Sequence, residues 1–380
     1  MSSSTKHLAV FAPSFPPAYK GGGPSRSLEA FVMALPAGFE VSVLSADTDH
    51  GDAVRLDVMG NRWVDRQGIQ VWYASLDRLQ LVLKGLMAVR KKRPDFIYFN
   101  SFFNLKLTIV PLFIGKLGFW GRTTQLLAPR GEFGSGALAR NSSKKQAYIS
   151  IFRLLRLHRR IIWHATAEHE VEDIKAVWGN NAHVILRANH TLLPSVAREP
   201  TLVGDHLRAV FLGRIVEHKG LLIALEALHD FPGAFELDVF GAEEDSGYVN
   251  DCKNAASNLP ASVVVRFHGP VAPDAVRDVL ADFDILLMPT AGENFGHVIA
   301  EALSVSCAVA ATPTTPWTAI LSGGGGYVVS DRTVRRWSEL IRIVAALQPR
   351  EREDLRRQAG RAYDEWKGNP QPSHLMDIVS

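Results

Sequence analysis

The chain has 380 residues, 47% hydrophobic and 21% charged, a globular composition that excludes collagen-like, disordered and coiled-coil classes and leaves room for two domains. Net charge is only +3, yet residues 1–195 hold 25 Lys/Arg against 14 Asp/Glu and the remainder 17 against 25. That split implies two lobes with different partners, the basic one suited to an anionic surface or substrate.

Cys252 and Cys307 are too few for a disulfide framework or a four-thiolate zinc site, which points to a reducing compartment. Residues 1–6 lead directly into an apolar stretch without the charged and apolar regions of a secretion signal. The longest membrane-like run, 107–120, is broken by Lys116 and falls short of the roughly 20 residues that span a bilayer. The expectation is a soluble, cytoplasmic protein able to touch the inner face of a membrane.

From the N-terminus, short apolar runs alternate with amphipathic stretches. Periodicity predicts strands over 7–12, 41–44, 69–73, 96–100, 125–128, 161–164 and 183–186, with helices over 25–35, 79–93, 144–157 and 168–178 between many of them. This is βαβ punctuation, hence a parallel sheet covered by helices. Residues 188–206 lack either period and contain Pro194 and Pro200, which marks a linker. The alternation then restarts, with strands over 208–212, 235–240, 263–267, 285–288 and 308–311 and helices over 221–229, 248–258, 275–281 and 298–303. Beyond residue 331 the chain reads as helical and Arg-rich.

The fold class is therefore α/β, with two Rossmann-like lobes facing across a cleft: an N-terminal domain over 1–190, a linker over 191–206, a C-terminal domain over 207–350, and a helix over 351–380 returning to the first lobe. Ligands of such lobes bind outside the carboxyl ends of the strands.

Three segments carry chemistry. Gly21-Gly22-Gly23 follows the first strand, lets backbone approach a ligand, and leads through Pro24 into a helix start suited to an anion. Gly213-Arg214 and Lys219-Gly220 flank the turn after the first strand of the second lobe, where two fixed cations can clamp a diphosphate. In 288–303, a strand ends at Met288, a polar loop follows and a helix begins near Gly296, so Glu293 lies in the loop and Glu301 on the helix. Two carboxylates placed so can touch opposite ends of one elongated ligand, beside the free amides of Asn294, Phe295 and Gly296.

Gly213-Arg214…Lys219-Gly220 followed by Glu293-x7-Glu301 within Glu-Asn-Phe-Gly…Glu-Ala-Leu resembles the donor site of retaining glycosyltransferases of family 4, which have the GT-B architecture. The Gly21–Gly23 loop, Ala128-Pro129-Arg130-Gly131-Glu132-Phe133, His164-Ala165-Thr166 and Thr315-Pro316-Trp317 resemble bacterial members that build surface polysaccharides such as lipopolysaccharide. This similarity spans nearly the whole chain. It implies that Arg214 and Lys219 hold the nucleotide diphosphate, Glu293 holds sugar hydroxyls and Glu301 binds the ribose. Gly22 and Gly23 would approach the phosphates from the other lobe, and Gly213, Asn294, Phe295 and Gly296 would complete the donor site.

The chain also departs from that pattern. Where many members carry a histidine near the reacting sugar it has Arg130-Gly131-Glu132; Arg130 and Glu132 become candidates for acceptor anchoring or an auxiliary base, and His164 reads as structural. Glu217-His218 replace a frequent proline before the clamp lysine, and Ala188-Asn189-His190 replaces Pro-Asn-Gly.

Asp282-Phe283-Asp284 has the form of a metal-binding DxD but precedes a strand, the end away from the expected ligand. Asp47-Thr48-Asp49 follows a strand without a third ligand. No metal or other cofactor is expected, because Arg214 and Lys219 supply the positive charge and the nucleotide sugar is a substrate.

The implied activity is hexosyl transfer from a nucleotide-diphosphate sugar to a saccharide, including a lipid-linked one, with no nucleic-acid partner. A sugar-nucleotide epimerase or hydrolase on the same fold and a catalytically silent binder remain open. Two cation-rich runs, 90–93 and 153–160, mix Lys/Arg with apolar residues and suggest contact with an anionic membrane.

Overall fold

The computed structural model describes residues 5–51, 53–139, 142–200, 206–370 and 373–380. Residues 1–4 of the N-terminal stretch and 201–205 of the expected linker lie outside the described residues. The chain forms two compact units, Met1–Thr191 with Pro372–Ser380, and Leu192–Gln371.

The N-terminal unit is built on β1 (Lys6–Ala12), β2 (Phe39–Ala46), β3 (Trp63–Arg66), β4 (Ile69–Ala74), β5 (Phe96–Asn100), β6 (Thr124–Ala128), β7 (Ile161–Ala165) and β8 (Val184–Leu186). They form one sheet in the order β3-β4-β2-β1-β5-β6-β7-β8. Every neighbouring pair is parallel except the β3–β4 hairpin. Central β1 is buried from His7 through Ala12, and Leu8–Ala12 is the continuous apolar run that a strand covered on both faces requires.

Its alternate side chains feed two apolar layers. Ala9 and Phe11 join Val82 and Leu86 from helix Leu79–Lys91, Leu112 from helix Val110–Lys116 and Phe152 from helix Ser142–Leu154. Leu8 and Val10 join Leu28 and Phe31 from helix Gly23–Met33 and Leu375 and Met376 from helix Leu375–Val379. The segregation follows from right-handed crossovers: β1 to β2 runs one way along the sheet, whereas β4 to β5 and onward runs the other, placing those helices on the opposite face.

The C-terminal unit holds β9 (Arg208–Leu212), β10 (Phe235–Phe240), β11 (Val263–Gly269), β12 (Ile285–Met288), β13 (Ala308–Ala311) and β14 (Gly326–Val328), in the order β11-β10-β9-β12-β13-β14 and parallel throughout. The strand order reverses between β9 and β12, so the loops at their carboxyl ends diverge and leave the crevice in which open α/β sheets bind ligands.

Residues 192–200 carry no regular element but are tied to this unit: the Tyr363 hydroxyl donates to the Pro194 carbonyl at 2.6 Å and the Ala197 amide to Asp364 at 2.6 Å. The long helix Pro349–Gly368 also belongs here, and only Pro372–Ser380 joins the N-terminal unit. Among the described residues no helix is long and apolar enough to cross a membrane.

Candidate functional site

Three loops meet at the carboxyl ends of β9, β10 and β12, so closely that side chains are excluded at two points. Gly220 has φ +77°, and a Cβ there would overlap the Pro289 carbonyl; a Cβ at Gly241 would overlap the carbonyl of Gly213. Only glycine tolerates both the backbone angle and the approach. Hydrogen bonds lace the same loops: the Ala291 amide donates to the His218 carbonyl at 2.8 Å, and the His218 imidazole Nε2 to the Gly292 carbonyl at 2.8 Å. Arg332 donates to the Pro289 and Glu217 carbonyls, each at 2.9 Å. Burial holds the His218 imidazole below its ordinary pKa.

The lacing brings Lys219 to Glu293, with Nζ 2.5 Å from Oε1, and the Thr290 hydroxyl donates to the same oxygen at 3.0 Å. The Glu293 amide donates to the Thr314 carbonyl at 3.2 Å, which holds the polar loop in place. Arg214 lies at the end of β9 beside Gly213 and pairs with Glu244 of the β10 loop at 3.1 Å.

Beyond Glu293, Asn294 and Phe295 are half-buried and Gly296 is buried with φ +76°. The Trp317 indole donates to the Phe295 carbonyl, and its ring meets the Phe295 ring edge-on at 5.6 Å. Helix His297–Leu303 follows and carries Glu301, 5% exposed. The structure thus brings Lys219 and Glu293 into contact and sets Arg214 in a neighbouring loop.

Sequence reasoning missed Glu244, Thr290 and the carbonyl-binding Arg332. Glu244 and Thr290 each stand just after a strand, in loops next to those read as functional, and that position was the available signal.

In the N-terminal unit, Gly22 has φ +65° and open space where a Cβ would sit, and Gly23 begins helix Gly23–Met33. Ser14 and Ser25 hydroxyls bond at 2.5 Å behind Gly21, while Asp49 accepts the amides of Tyr19 at 2.9 Å and Lys20 at 3.1 Å. The glycine turn is therefore built from both sides.

Arg130, at φ +54°, donates to Asn100 at 2.7 Å, Asn189 at 2.5 Å and the Tyr98 hydroxyl at 2.9 Å. The Tyr98 hydroxyl lies 2.8 Å from His164 Nδ1, and His164 Nε2 lies 2.9 Å from the Arg187 carbonyl. A carbonyl only accepts, so Nε2 carries the proton and the chain runs Arg130 to Tyr98 to His164 to Arg187. Burial, helped by Arg130, drives the His164 pKa down to about 3, as a neutral, structural imidazole requires.

Glu132 accepts from the Ser101 hydroxyl at 2.7 Å and from the Phe102 and Phe103 amides at 2.5 and 3.2 Å, and burial raises its pKa. Its carboxylate fastens the loop after β5. Glu170, which sequence reasoning passed over, is fully buried and accepts the Gly131 amide at 2.6 Å and the Thr166 amide at 2.7 Å.

Asp284 sits buried at the start of β12, where it accepts the Arg208 amide at 3.0 Å and pairs with Arg352 at 3.4 Å and Arg356 at 3.5 Å. Asp47 accepts the Ser75 hydroxyl at 2.6 Å and pairs with Arg55. Both carboxylates have structural partners.

Residues 196–362 match the family model of the glycosyl transferases group 1. A D-inositol 3-phosphate glycosyltransferase of Streptomyces griseus is 32% identical over 139 residues, 33% of this chain, and the match spans 29% of that relative's length. Among solved structures, Anabaena HepE in complex with UDP and glucose superposes with a TM-score of 0.68 at 15% identity, covering 95% of each chain. WaaG, a glycosyltransferase involved in lipopolysaccharide biosynthesis, gives 0.63 at 13% identity over 98% of each chain. The chain thus shares the GT-B fold of these structures, and the stretch that matches the glycosyl transferases group 1 model lies within its C-terminal unit.

Proposed function

We propose that this protein is a retaining glycosyltransferase of family 4, which moves a hexosyl group from a nucleotide-diphosphate sugar to a saccharide acceptor. The acceptor we assign is a lipid-linked glycan of bacterial surface polysaccharide synthesis, met at the inner face of the cytoplasmic membrane. The observation that carries the donor reading is the Lys219–Glu293 contact at the ends of β9 and β12, the place where an α/β sheet of this order binds its ligand.

In this reading Arg214 and Lys219 face the diphosphate, which gains negative charge as the sugar leaves. Fixed cations favour that charge more in the transition state than in the ground state. Glu293, oriented by Lys219 and Thr290, holds sugar hydroxyls, and Glu301 takes the ribose. Gly213 with Asn294, Phe295 and Gly296 lines the donor, and Gly22 and Gly23 give the phosphates a side-chain-free approach.

The acceptor attacks from the face that the diphosphate leaves, and the leaving phosphate takes its proton. No protein base is needed, in keeping with the engagement of Glu132 by three donors. Arg130 and Glu132 then shape the acceptor side by holding strand ends and loop. The two cations stand in for a divalent ion, so the reaction proceeds without metal.

The test is turnover with UDP-, GDP- and ADP-sugars and extracts of lipid-linked saccharide. Arg214→Ala and Lys219→Ala are each expected to lower kcat/KM by about 100-fold in protein that stays folded, with activity unchanged by EDTA. Activity within threefold of the parent in both variants overturns the donor site. Donor consumption without an acceptor favours the epimerase or hydrolase, and chelator loss rescued by Mn²⁺ overturns metal independence.

A further inference from the structure

Thr315-Pro316-Trp317 contributes no group to the cation clamp, yet the loop over 312–317 that it ends is bonded along the length of the Glu293 loop. β12 and β13 are parallel neighbours, so the two loops leave the sheet side by side. The Thr312 hydroxyl donates to the Thr290 carbonyl at 2.7 Å, the Thr314 carbonyl accepts the Glu293 amide at 3.2 Å, and the Trp317 indole donates to the Phe295 carbonyl. One loop is moulded on the other at three points.

The third of these bonds fixes the direction of an amide. A trans peptide is planar, so the Phe295 carbonyl and the Gly296 N–H point opposite ways, and an indole that holds the carbonyl turns the N–H outward from itself. Gly296 is buried, and among the described residues its amide donates to no other group. Buried backbone donors are seldom left unpaired, so this one is directed at a ligand or at water. The indole itself has little room to shift. Trp317 is 2% exposed, its amide donates to the Thr315 hydroxyl at 3.3 Å, its carbonyl accepts the Leu321 amide at 2.9 Å, and its ring lies 4.7 Å from that of Trp366 on helix Pro349–Gly368. A Cβ on Gly296 would come within 3.4 Å of the indole and 3.1 Å of Ile299.

We propose that Trp317 is a positioning residue for the donor: through the Phe295 carbonyl, its N–H aims the Gly296 amide at the distal phosphate of the nucleoside diphosphate. The inference rests on the donor reading, in which Glu293 meets the sugar and Glu301 the ribose. Gly296 stands between those two in the chain, as the diphosphate stands between sugar and ribose. Without the indole the peptide is free to turn over, and it would then present the Phe295 oxygen to the phosphate in place of the N–H. An attraction would become a repulsion, so the direction of this one peptide counts twice.

The experiment is calorimetric binding of UDP, GDP and ADP, and of the corresponding monophosphates, to the full chain and to Trp317→Phe and Trp317→His. Phenylalanine keeps an aromatic ring without the N–H, whereas the imidazole ring overlays the five-membered ring of the indole and puts Nε2 in the place of Nε1. Trp317→Phe should lower diphosphate affinity about tenfold and leave monophosphate affinity within about twofold, and Trp317→His should return diphosphate affinity to within about threefold of the parent. Retained monophosphate binding verifies folding. Equal losses for both ligand classes, unchanged diphosphate affinity in Trp317→Phe, or better diphosphate binding by Trp317→Phe than by Trp317→His makes the indole a packing group and overturns the proposal. If neither variant folds, replacement of Trp317 by 3-benzothienylalanine, which keeps both rings with sulfur in place of the N–H, makes the same comparison. A parent whose diphosphate binding is weakened by Lys219→Ala but not by loss of the indole N–H overturns this inference alone. A parent that binds no nucleoside diphosphate overturns the donor reading and the inference with it.

Discussion

Arg214 and Lys219 are like charges in unlike surroundings. The Lys219 and Glu293 side chains retain 16% and 11% of their exposure, whereas Arg214 retains 48%. The Arg214–Glu244 pair is therefore screened by water and worth on the order of 0.2–1 kcal/mol. A donor diphosphate drawn to Arg214 must displace that carboxylate. Glu244→Gln is accordingly expected to tighten nucleotide diphosphate binding by about two- to fivefold, and calorimetry should find no such gain in an Arg214→Ala background. Weaker binding in the single variant would mean that Glu244 aims Arg214 rather than competes with the ligand.

Residue types at this site were legible, but their partners were not. Arg214, Lys219 and Glu293 stand out because cations and a carboxylate after strand ends have a chemical meaning wherever the loops fall. Glu244 also follows a strand, but its pairing with Arg214 depends on the contact of the β10 loop with the β9 loop, which no residue spacing reveals. Arg130 and Glu132 attracted attention for the same reason as the clamp residues, yet their polar atoms are engaged with Asn100, Asn189, Tyr98 and the loop after β5.

Among the elements, periodicity located the long central strands within a few residues, because burial on both faces leaves an apolar run that few other contexts produce. It missed β3 and β14, edge strands of four and three residues in which no more than two apolar residues follow one another, Trp63-Val64 and Tyr327-Val328; the equally short β8, β12 and β13 are apolar throughout. The run over 107–120 had the composition of a membrane segment. Its Leu107, Ile109 and Leu112 are instead buried against the sheet.

Helix Pro349–Gly368 shows how a charged stretch can lie inside. Arg352 and Arg356 are 2% and 1% exposed and meet on Asp284. Sequence alone offered Asp284 as half of a DxD, because only the packed helix supplies its counter-charges. Asp284→Ala would leave two buried guanidinium groups without their carboxylate, although Arg356 keeps the Ser306 and Ala281 carbonyls at 3.1 and 2.8 Å, and should destabilise the C-terminal unit by about 3–5 kcal/mol, measurable by urea unfolding. A loss below about 1 kcal/mol would show that the carbonyl acceptors suffice.

For the whole molecule, acid is the condition to which the architecture is most exposed. An unfolded imidazole takes its proton near pH 6.5, while burial delays His164 to about 3 and His374 to about 4. Between these limits the unfolded chain binds more protons, so the stability present above pH 6.5 is lost as pH falls. Glu132, raised by burial, opposes the loss. The melting temperature should fall by roughly 5 °C or more between pH 7 and 5. The fall should be shallower in His374→Asn, whose amide oxygen can replace Nδ1 as acceptor for the Met376 amide. Equal slopes would remove His374 from the cause.

The short helix Leu375–Val379 packs Leu375 and Met376 into the same apolar layer as Leu8 and Phe31, and this fixes an order of events during synthesis. The C-terminal unit, Leu192–Gln371, is interrupted by no other part of the chain, whereas the N-terminal unit is closed by residues made after it. At ribosomal speeds of about 5–20 residues per second, the first sheet waits on the order of 10 s or more for its final piece. The half begun first is thus finished last, and through that interval the Phe31 side of its sheet awaits a cover that arrives only after the second sheet has been made.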